Sequence, residues 1–110
     1  MSLSYVSEKL STAVNALATS AAPIQTRLEY AAMSCHTLAN MHERSFPTDE
    51  LRDRWVAWWA SITSKPARDN QEGTIRATLS QMSDQEASDV AEELFNIYAG
   101  VERHYNRDEI

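Results

Sequence analysis

Only two glycines and three prolines interrupt this chain of 110 residues. Tight β-hairpins depend on glycine, asparagine and proline at their turns, so a chain this poor in glycine has few places to reverse a strand. Alanine, leucine, glutamate, glutamine and arginine are plentiful, and all of them favour helix. The 43% of hydrophobic residues suffices for one core. We therefore predict a single helical domain over residues 1–110, of the all-α class.

Apolar residues recur at helical spacing in five segments, four of them long and one short. The segments begin near Ser4, Ile24, Thr48, Thr74 and Ser83. The short connections at 20–23 and 45–48 favour antiparallel packing of the first three helices. The predicted fold is an irregular or up-and-down helical bundle of four main helices plus one short helix.

The second segment has the most regular apolar pattern. Its seam consists of Ile24, Leu28, Ala31, Cys35, Leu38 and His42, at alternating steps of four and three. Residues at these steps share one face of a helix. Two heptads are too few to define a coiled coil, and a core-facing helix of a bundle explains the seam as well. The helix is predicted to continue to about Ser45.

The third segment carries a cluster of tryptophans. Trp55, Trp58 and Trp59 lie within about 100° of arc on a helix. Each indole buries on the order of 200 Å², so this helix is predicted to dominate the core energetically. The three tryptophans occupy a wider face than a single neighbouring helix can cover. Either two helices flank it, or one tryptophan is exposed and anchors a partner. Arg52 and Arg54 precede the cluster and are expected to rim such a site.

Acidic residues dominate the last segment. The stretch between Arg76 and Arg103 contains no base and six acids: Asp84, Glu86, Asp89, Glu92, Glu93 and Glu102. On a helix, Glu86, Asp89 and Glu93 form a stripe beside the apolar face. The stripe is either ordinary solubilising charge or a surface for a basic partner, whose association it would speed.

Two local signals bound this last helix. Ser83 and Glu86 have the spacing of a capping box, which predicts the start of the helix. Gly100 weakens a helix by up to ~1 kcal/mol, so it marks either close packing or the end of the helix. Residues 106–110 are predicted to fray.

No catalytic motif or cofactor site is recognisable. Two glycines cannot form a phosphate-binding loop of the usual kind, and no nucleophile motif is present. Carboxylates one turn apart, such as Asp89 and Glu92, suit Mg²⁺, yet any acidic helix contains such spacings. Cys35 lies on an apolar face, where its pKa is expected to be raised. We predict no catalytic residue, no metal ligand and no cofactor.

The distribution of charge bears on the partners. The formal net charge is −6 and no lysine and arginine cluster occurs, so nucleic acid is not an expected partner. No run of about 18 apolar residues exists, and the start of the chain does not resemble a secretory signal. Neither a membrane span nor a membrane partner is predicted. A single cysteine fits a reducing compartment, and the predicted location is the cytoplasm.

The leading hypothesis is a non-catalytic protein-interaction or assembly module, in one form a homodimer through the tryptophan helix or the second-helix seam. The candidate partner-binding residues are Trp55, Trp58, Trp59, Arg52, Glu86, Asp89 and Glu93. Two alternatives remain open. One is an acidic inhibitor that occupies a basic groove on a partner protein, and the other is a small metal-dependent helical enzyme.

Overall fold

The computed structural model describes residues 3–39, 45–67 and 73–109, with side chains as far as residue 105. Its helices are α1 (Leu3–Thr19), α2 (Ile24–Cys35), α3 (Asp49–Ile62), α4 (Gly73–Leu79) and α5 (Asp84–Glu109), and a 3₁₀ turn over His36–Leu38 follows α2. The described residues are 82% helical and contain no strand. The predicted all-α bundle of four main helices and one short helix is confirmed.

Helix α5 is central to the bundle and packs against α1, α2 and α3. Ser7 near the start of α1 donates a hydrogen bond to Glu102 near the end of α5, so these two helices run antiparallel. The hydroxyls of Tyr5 and Thr37 share a hydrogen bond of 2.8 Å, which joins the start of α1 to the turn after α2. Helices α1 and α2 are therefore antiparallel neighbours, as the short connection predicts.

The turn between α1 and α2 is held by Arg27. Its Nε donates to the carbonyl of Ala22 at 2.9 Å, and its Nη1 donates to the carbonyl of Leu17 at 3.0 Å. The last carbonyls of a helix have no partner within the helix. No glycine is available at this end of α1, and Arg27 from the next helix satisfies one of these carbonyls, that of Leu17, while its second bond to Ala22 holds the connection.

Helix α2 ends earlier than its apolar seam predicts. The α-helix stops at Cys35, and Ala39 after the 3₁₀ turn is extended, with φ −71° and ψ 132°. The seam is buried as far as Leu38, while the predicted seam residue His42 lies outside the described residues. Helix α3 packs elsewhere in the bundle. Its main neighbours are α5 and α4, and the predicted pairing of α2 with α3 is wrong.

The apolar faces of the helices meet in one core. The fully buried large side chains are Val6, Leu10, Leu28, Cys35, Leu38, Trp55, Ile62, Leu79, Leu94, Ile97 and Val101. Ala13, Ala31 and Ala32 are also fully buried. Small buried side chains on facing helices let α1 and α2 approach closely, as in other tightly packed interiors.

Helix α5 continues without a break through Gly100 and has 26 residues. A Cβ atom built on Gly100 would lie 2.7 Å from Cδ2 of Leu51 on α3. The glycine therefore marks close packing and not the end of the helix. The backbone is helical through Glu109, where the sequence predicts fraying. Despite this length, no helix of the described residues is both long and apolar enough to cross a membrane.

Side-chain caps start both α3 and α5, as the sequence predicts. The Oγ1 of Thr48 accepts a hydrogen bond from the backbone N–H of Leu51 at 3.1 Å. The Oγ of Ser83 accepts from the N–H of Glu86 at 3.1 Å, and Oε1 of Glu86 accepts from the N–H of Ser83 at 3.0 Å. The caps fix where each helix begins and therefore which residues of α3 and α5 face each other.

We expect Ser83→Ala to lower the free energy of unfolding by about 1 kcal/mol, because the first amides of α5 lose their acceptor. The N–H and hydroxyl of Ser83 lower the pKa of the Glu86 carboxyl. Because this pKa is lowered, the ionised carboxylate stabilises the fold at pH values above the usual pKa of a glutamate. The stabilisation is lost as the pH falls through the lowered pKa of Glu86. The stability gap between wild type and Glu86→Gln should therefore narrow in acid.

Urea unfolding followed by circular dichroism, at neutral and at acid pH, measures both effects. Ser88→Ala is the matched control, because Ser88 is exposed within the same helix and alanine favours helix. If the difference in unfolding free energy between wild type and Glu86→Gln does not change with pH, the ionised Glu86 carboxylate does not stabilise the start of α5.

Candidate functional site

Helices α3 and α5 enclose a groove with a volume of about 340 Å³. It is lined by Arg54, Ala57, Trp58, Ser61, Asp89, Val90 and Glu93. The two helices run antiparallel, since Trp58 meets Val90 while Leu51 meets Gly100 further along. The groove brings together two features that are separate in the sequence, the tryptophan cluster and the acidic stripe of α5.

Trp58 lies directly beneath the floor of the groove. Its indole Nε1 donates to the backbone carbonyl of Val90 at 2.9 Å, a hydrogen bond that ties α3 to α5. Only 3% of Trp58 is exposed, so the indole mainly supports the floor from below. The apolar surface open to a ligand comes largely from Ala57, which is exposed, and from Val90, which is half-buried.

The other two tryptophans lie outside the lining of the groove. Trp55 is fully buried, and its ring centroid lies 5.8 Å from that of Phe46 and 5.5 Å from that of Trp58. Its Nε1 has no hydrogen-bond partner among the described residues. Trp59 is partly buried, with its ring 5.7 Å from that of Trp55. The cluster is thus mostly core, with Trp58 under the groove and Trp59 the one member that stays partly exposed.

One wall of the groove is an ion pair between the two helices. Arg54 Nε donates to Glu93 Oε2 at 2.9 Å, and Arg54 Nη2 donates to Glu93 Oε1 at 2.7 Å. The hydrogen bonds that the Arg54 guanidinium donates to Glu93 raise its pKa, so it stays charged. Each side chain is 36% exposed, so the pair contributes at most about 1 kcal/mol to stability. Its main effect is to set the geometry of the wall.

Arg52 and Glu86, both candidates from the sequence, do not line the groove. Arg52 approaches Asp49 at 3.4 Å and Asp53 at 3.6 Å, both on its own helix. The Glu86 carboxylate is engaged in the cap of α5 with Ser83. Both residues have local structural roles, and the arginine that reaches the acidic stripe is Arg54.

A second cavity of about 260 Å³ adjoins the groove. It is lined by Asp89, Glu92, Glu93 and Asn96. These positions lie one and two turns apart on α5 and share a face. Asp89 Oδ1 accepts a hydrogen bond from Gln85 Nε2 at 3.0 Å. Within the described part of the chain, neither Asp89 nor Glu92 forms an ion pair with a basic residue.

Sequence reasoning missed three residues of the groove. Ala57 and Ser61 look like ordinary solvent-facing positions, and Val90 looks like one more residue of an apolar face. Their spacing could have identified the residues on α3, because positions 54, 57, 58 and 61 fall on one side of a helix. That side becomes a site only when α5, which is distant in the sequence, packs beside it.

A third cleft lies between α2 and α4 and has a volume of about 250 Å³. It is lined by Gln25, Thr26, Glu29, Tyr30, Arg76, Leu79 and Ser80. Arg76 Nη2 lies 2.9 Å from Glu29 Oε2, so the two charges of this cleft neutralise each other. The α3–α5 groove, with its adjoining cavity, has the larger unbalanced charge.

Two findings on the described residues concern metal-ligating and nucleophilic side chains. Among them, no three histidine, cysteine or acidic side chains come together in a way that would hold a metal ion. Cys35 is fully buried, and its thiol donates to the carbonyl of Ala31 at 3.3 Å. Burial raises the pKa of this thiol to about 12, which confirms the predicted direction. A buried, protonated thiol is a poor nucleophile.

Comparison with protein-family models, with curated proteins and with solved structures gave no match to this chain. Its function is therefore inferred from the shape and the charges of the groove.

Proposed function

We propose that the chain is a non-catalytic protein-interaction module whose α3–α5 groove binds a basic segment of a partner protein. One observation carries this proposal. The groove has an apolar floor, and beside it stand the carboxylates of Asp89 and Glu92, which no described basic residue neutralises. Apolar surface supplies affinity when water is excluded, and unbalanced charge at the rim selects the partner and speeds its approach.

The charge of the rim supports a cationic partner. Arg54 already neutralises Glu93. The carboxylates of Asp89 and Glu92 are therefore left to attract a cationic partner. No basic residue occurs between Arg76 and Arg103, so nothing on the exposed side of α5 in that stretch offsets them. The chain as a whole has a formal charge of −6. A negative field of this kind attracts lysine and arginine over several ångströms.

The rigidity of the groove also supports a binding role. Caps fix the starts of both helices, Trp58 is bonded to Val90 across the floor, and Arg54 is bonded to Glu93 at the wall. A surface that is ordered before binding loses less conformational entropy when a ligand arrives. More of the interaction energy is then available as affinity.

A second copy of this chain is a poorer occupant of the groove. Two-fold dimers bring the same surface of both subunits together, so two acidic rims would face each other and repel. The other dimer surface suggested by the sequence is the seam of α2. Leu28, Ala31 and Cys35 of that seam are fully buried against the rest of the chain. A dimer through the seam would require the bundle to open.

The same electrostatic argument disfavours nucleic acid and anionic membrane surfaces as partners. The proposed setting is the cytoplasm, because the single cysteine is a free, buried thiol of the kind that a reducing compartment preserves.

A titration with a cationic peptide tests the proposal. The probe is an amidated peptide of three Lys-Leu-Ala-Lys repeats, followed by nitrogen–proton spectra of the labelled protein. We expect shifts at the Trp58 indole N–H and at the amides of Asp89 and Glu92, and binding that weakens as salt rises. Glu92→Lys should weaken binding by about tenfold, which is about 1.4 kcal/mol.

Glu8→Lys is the matched control, because it makes the same change of charge at an exposed position of α1. If Glu92→Lys and Glu8→Lys weaken peptide binding equally, the peptide responds only to the net charge of the protein. That result would contradict a site in the groove. Shifts confined to α1 and α2, or binding that is insensitive to salt, would also exclude the proposed function.

A further inference from the structure

We infer that the α3–α5 groove and the adjoining acidic cavity form one bipartite site, which accepts a partner segment with a large apolar side chain beside a lysine or arginine. This inference rests on the proposed function and specifies the chemistry of the partner. It assigns different tasks to the two cavities, and the division follows from which residues line each of them.

The two cavities are direct neighbours. Asp89 and Glu93 belong to the lining of both, so these side chains form the border between them. Their volumes are about 340 Å³ and 260 Å³. Both are open to solvent, so a side chain of a partner can enter each of them. A residue seated in one cavity therefore lies next to a residue seated in the other.

The charges sort the two side chains. In the first cavity Arg54 and Glu93 neutralise each other, so Asp89 at its border is the one charge left to attract a cation there. Ala57 and Val90 in the same cavity offer apolar surface instead. The second cavity contains no basic residue, and its oxygen atoms come from Asp89, Glu92, Glu93 and Asn96. The apolar side chain belongs in the first cavity and the cation in the second.

A polypeptide segment meets both requirements at once. An isolated metal ion would use only the acidic cavity, and the described residues hold no set of three side chains suited to a metal. Neighbouring residues of a helix or an extended strand present two side chains a few ångströms apart. The partner is accordingly a protein segment in which an apolar residue and a basic residue are adjacent on one face.

Three peptides and three variants test the bipartite site by fluorescence anisotropy. The first peptide has three Lys-Leu-Ala-Lys repeats. The second replaces every leucine with alanine, and the third replaces every lysine with glutamine. We expect the wild-type protein to bind the first peptide at least tenfold more tightly than either of the other two.

The variants separate the two cavities. Ala57→Gln fills the apolar cavity without a change of charge, and it should bring the leucine and alanine peptides within about twofold of each other. Glu92→Gln should weaken both lysine peptides by the same factor and leave the glutamine peptide unchanged. Ala60→Gln is the matched control on α3, because Ala60 is exposed and lines neither cavity. Circular dichroism verifies that each variant is folded.

The outcomes distinguish this inference from the proposed function. If wild type binds the alanine peptide as tightly as the leucine peptide, the acidic face acts by charge alone. That result excludes the bipartite site but leaves the proposed binding of a basic partner segment in place. If Ala60→Gln reduces the preference as much as Ala57→Gln, the bipartite site is also excluded. If neither lysine peptide binds, both proposals fail. Sedimentation that detects a dimer, dissociated by Ala57→Gln, would identify a second copy as the occupant and overturn the inference.

Discussion

Replacing Trp55 with alanine is expected to lower the free energy of unfolding by about 3–5 kcal/mol. Trp55 is fully buried and stacks on Phe46 and Trp58, so its removal leaves a cavity where aromatic rings met. Well-packed neighbours relax only partly into such a space. Because whole domains have unfolding free energies of about 5–15 kcal/mol, this single change removes much of the stability. Guanidinium unfolding followed by circular dichroism measures the loss.

Two further variants make this result specific. Trp55→Phe keeps an aromatic ring against Phe46 and removes Nε1, which is buried without a described partner, so it should cost far less than alanine. Phe95→Ala truncates an aromatic side chain that is 51% exposed, and it should cost no more than about 1 kcal/mol. If Phe95→Ala destabilises the protein as much as Trp55→Ala, the burial of Trp55 is not a main source of the stability of the core.

Gly100→Val is expected to lower the free energy of unfolding by about 1–3 kcal/mol. The Cβ atom alone would approach Cδ2 of Leu51 to 2.7 Å, and the two methyl groups of valine add further overlap. Either Leu51 leaves its position or α3 and α5 move apart, which also disturbs the groove. Chemical unfolding measures the loss.

A double-mutant cycle isolates the contact. Leu51→Ala should cost about 2–5 kcal/mol, because Leu51 is only 6% exposed. In that background Gly100→Ala meets no methyl group and should stabilise α5 by about 1 kcal/mol, the usual helical advantage of alanine over glycine. The two changes are therefore expected to be coupled by at least about 0.5 kcal/mol. Additive effects would contradict a close approach of α3 and α5 at Gly100.

The fold class and several helix boundaries could be predicted because they depend on local chemistry. The scarcity of glycine favours helix, Thr48 and Ser83 cap the next amides along the chain, and the apolar faces follow helical spacing. The end of α2 could not be predicted. No glycine or proline lies within Cys35–Leu38, so nothing local interrupts the apolar seam before the helix stops. The turn that follows it is bonded to a residue distant in the sequence, through the hydroxyls of Thr37 and Tyr5.

The candidate site could be predicted only in part. Trp58, Asp89 and Glu93 were recognisable by residue type and spacing, and all three line the groove. The choice of Arg54 over Arg52 depends on which side of α3 faces α5, because the two positions differ by about 200° around the helix. That orientation is set by the burial of the whole tryptophan cluster. No local sequence pattern indicates which side of α3 faces α5.

The position of α5 has a consequence for the order of assembly during translation. The ribosome delivers α1 and α2 first, and these two can pair as soon as both have emerged. The helix that α1, α2 and α3 all contact is synthesised after them. Ser7 and Glu102 are bonded although almost the whole chain separates them. Contacts over such separations form slowly, and the apolar faces of α1, α2 and α3 that pack on α5 stay open to chaperones until α5 has been synthesised.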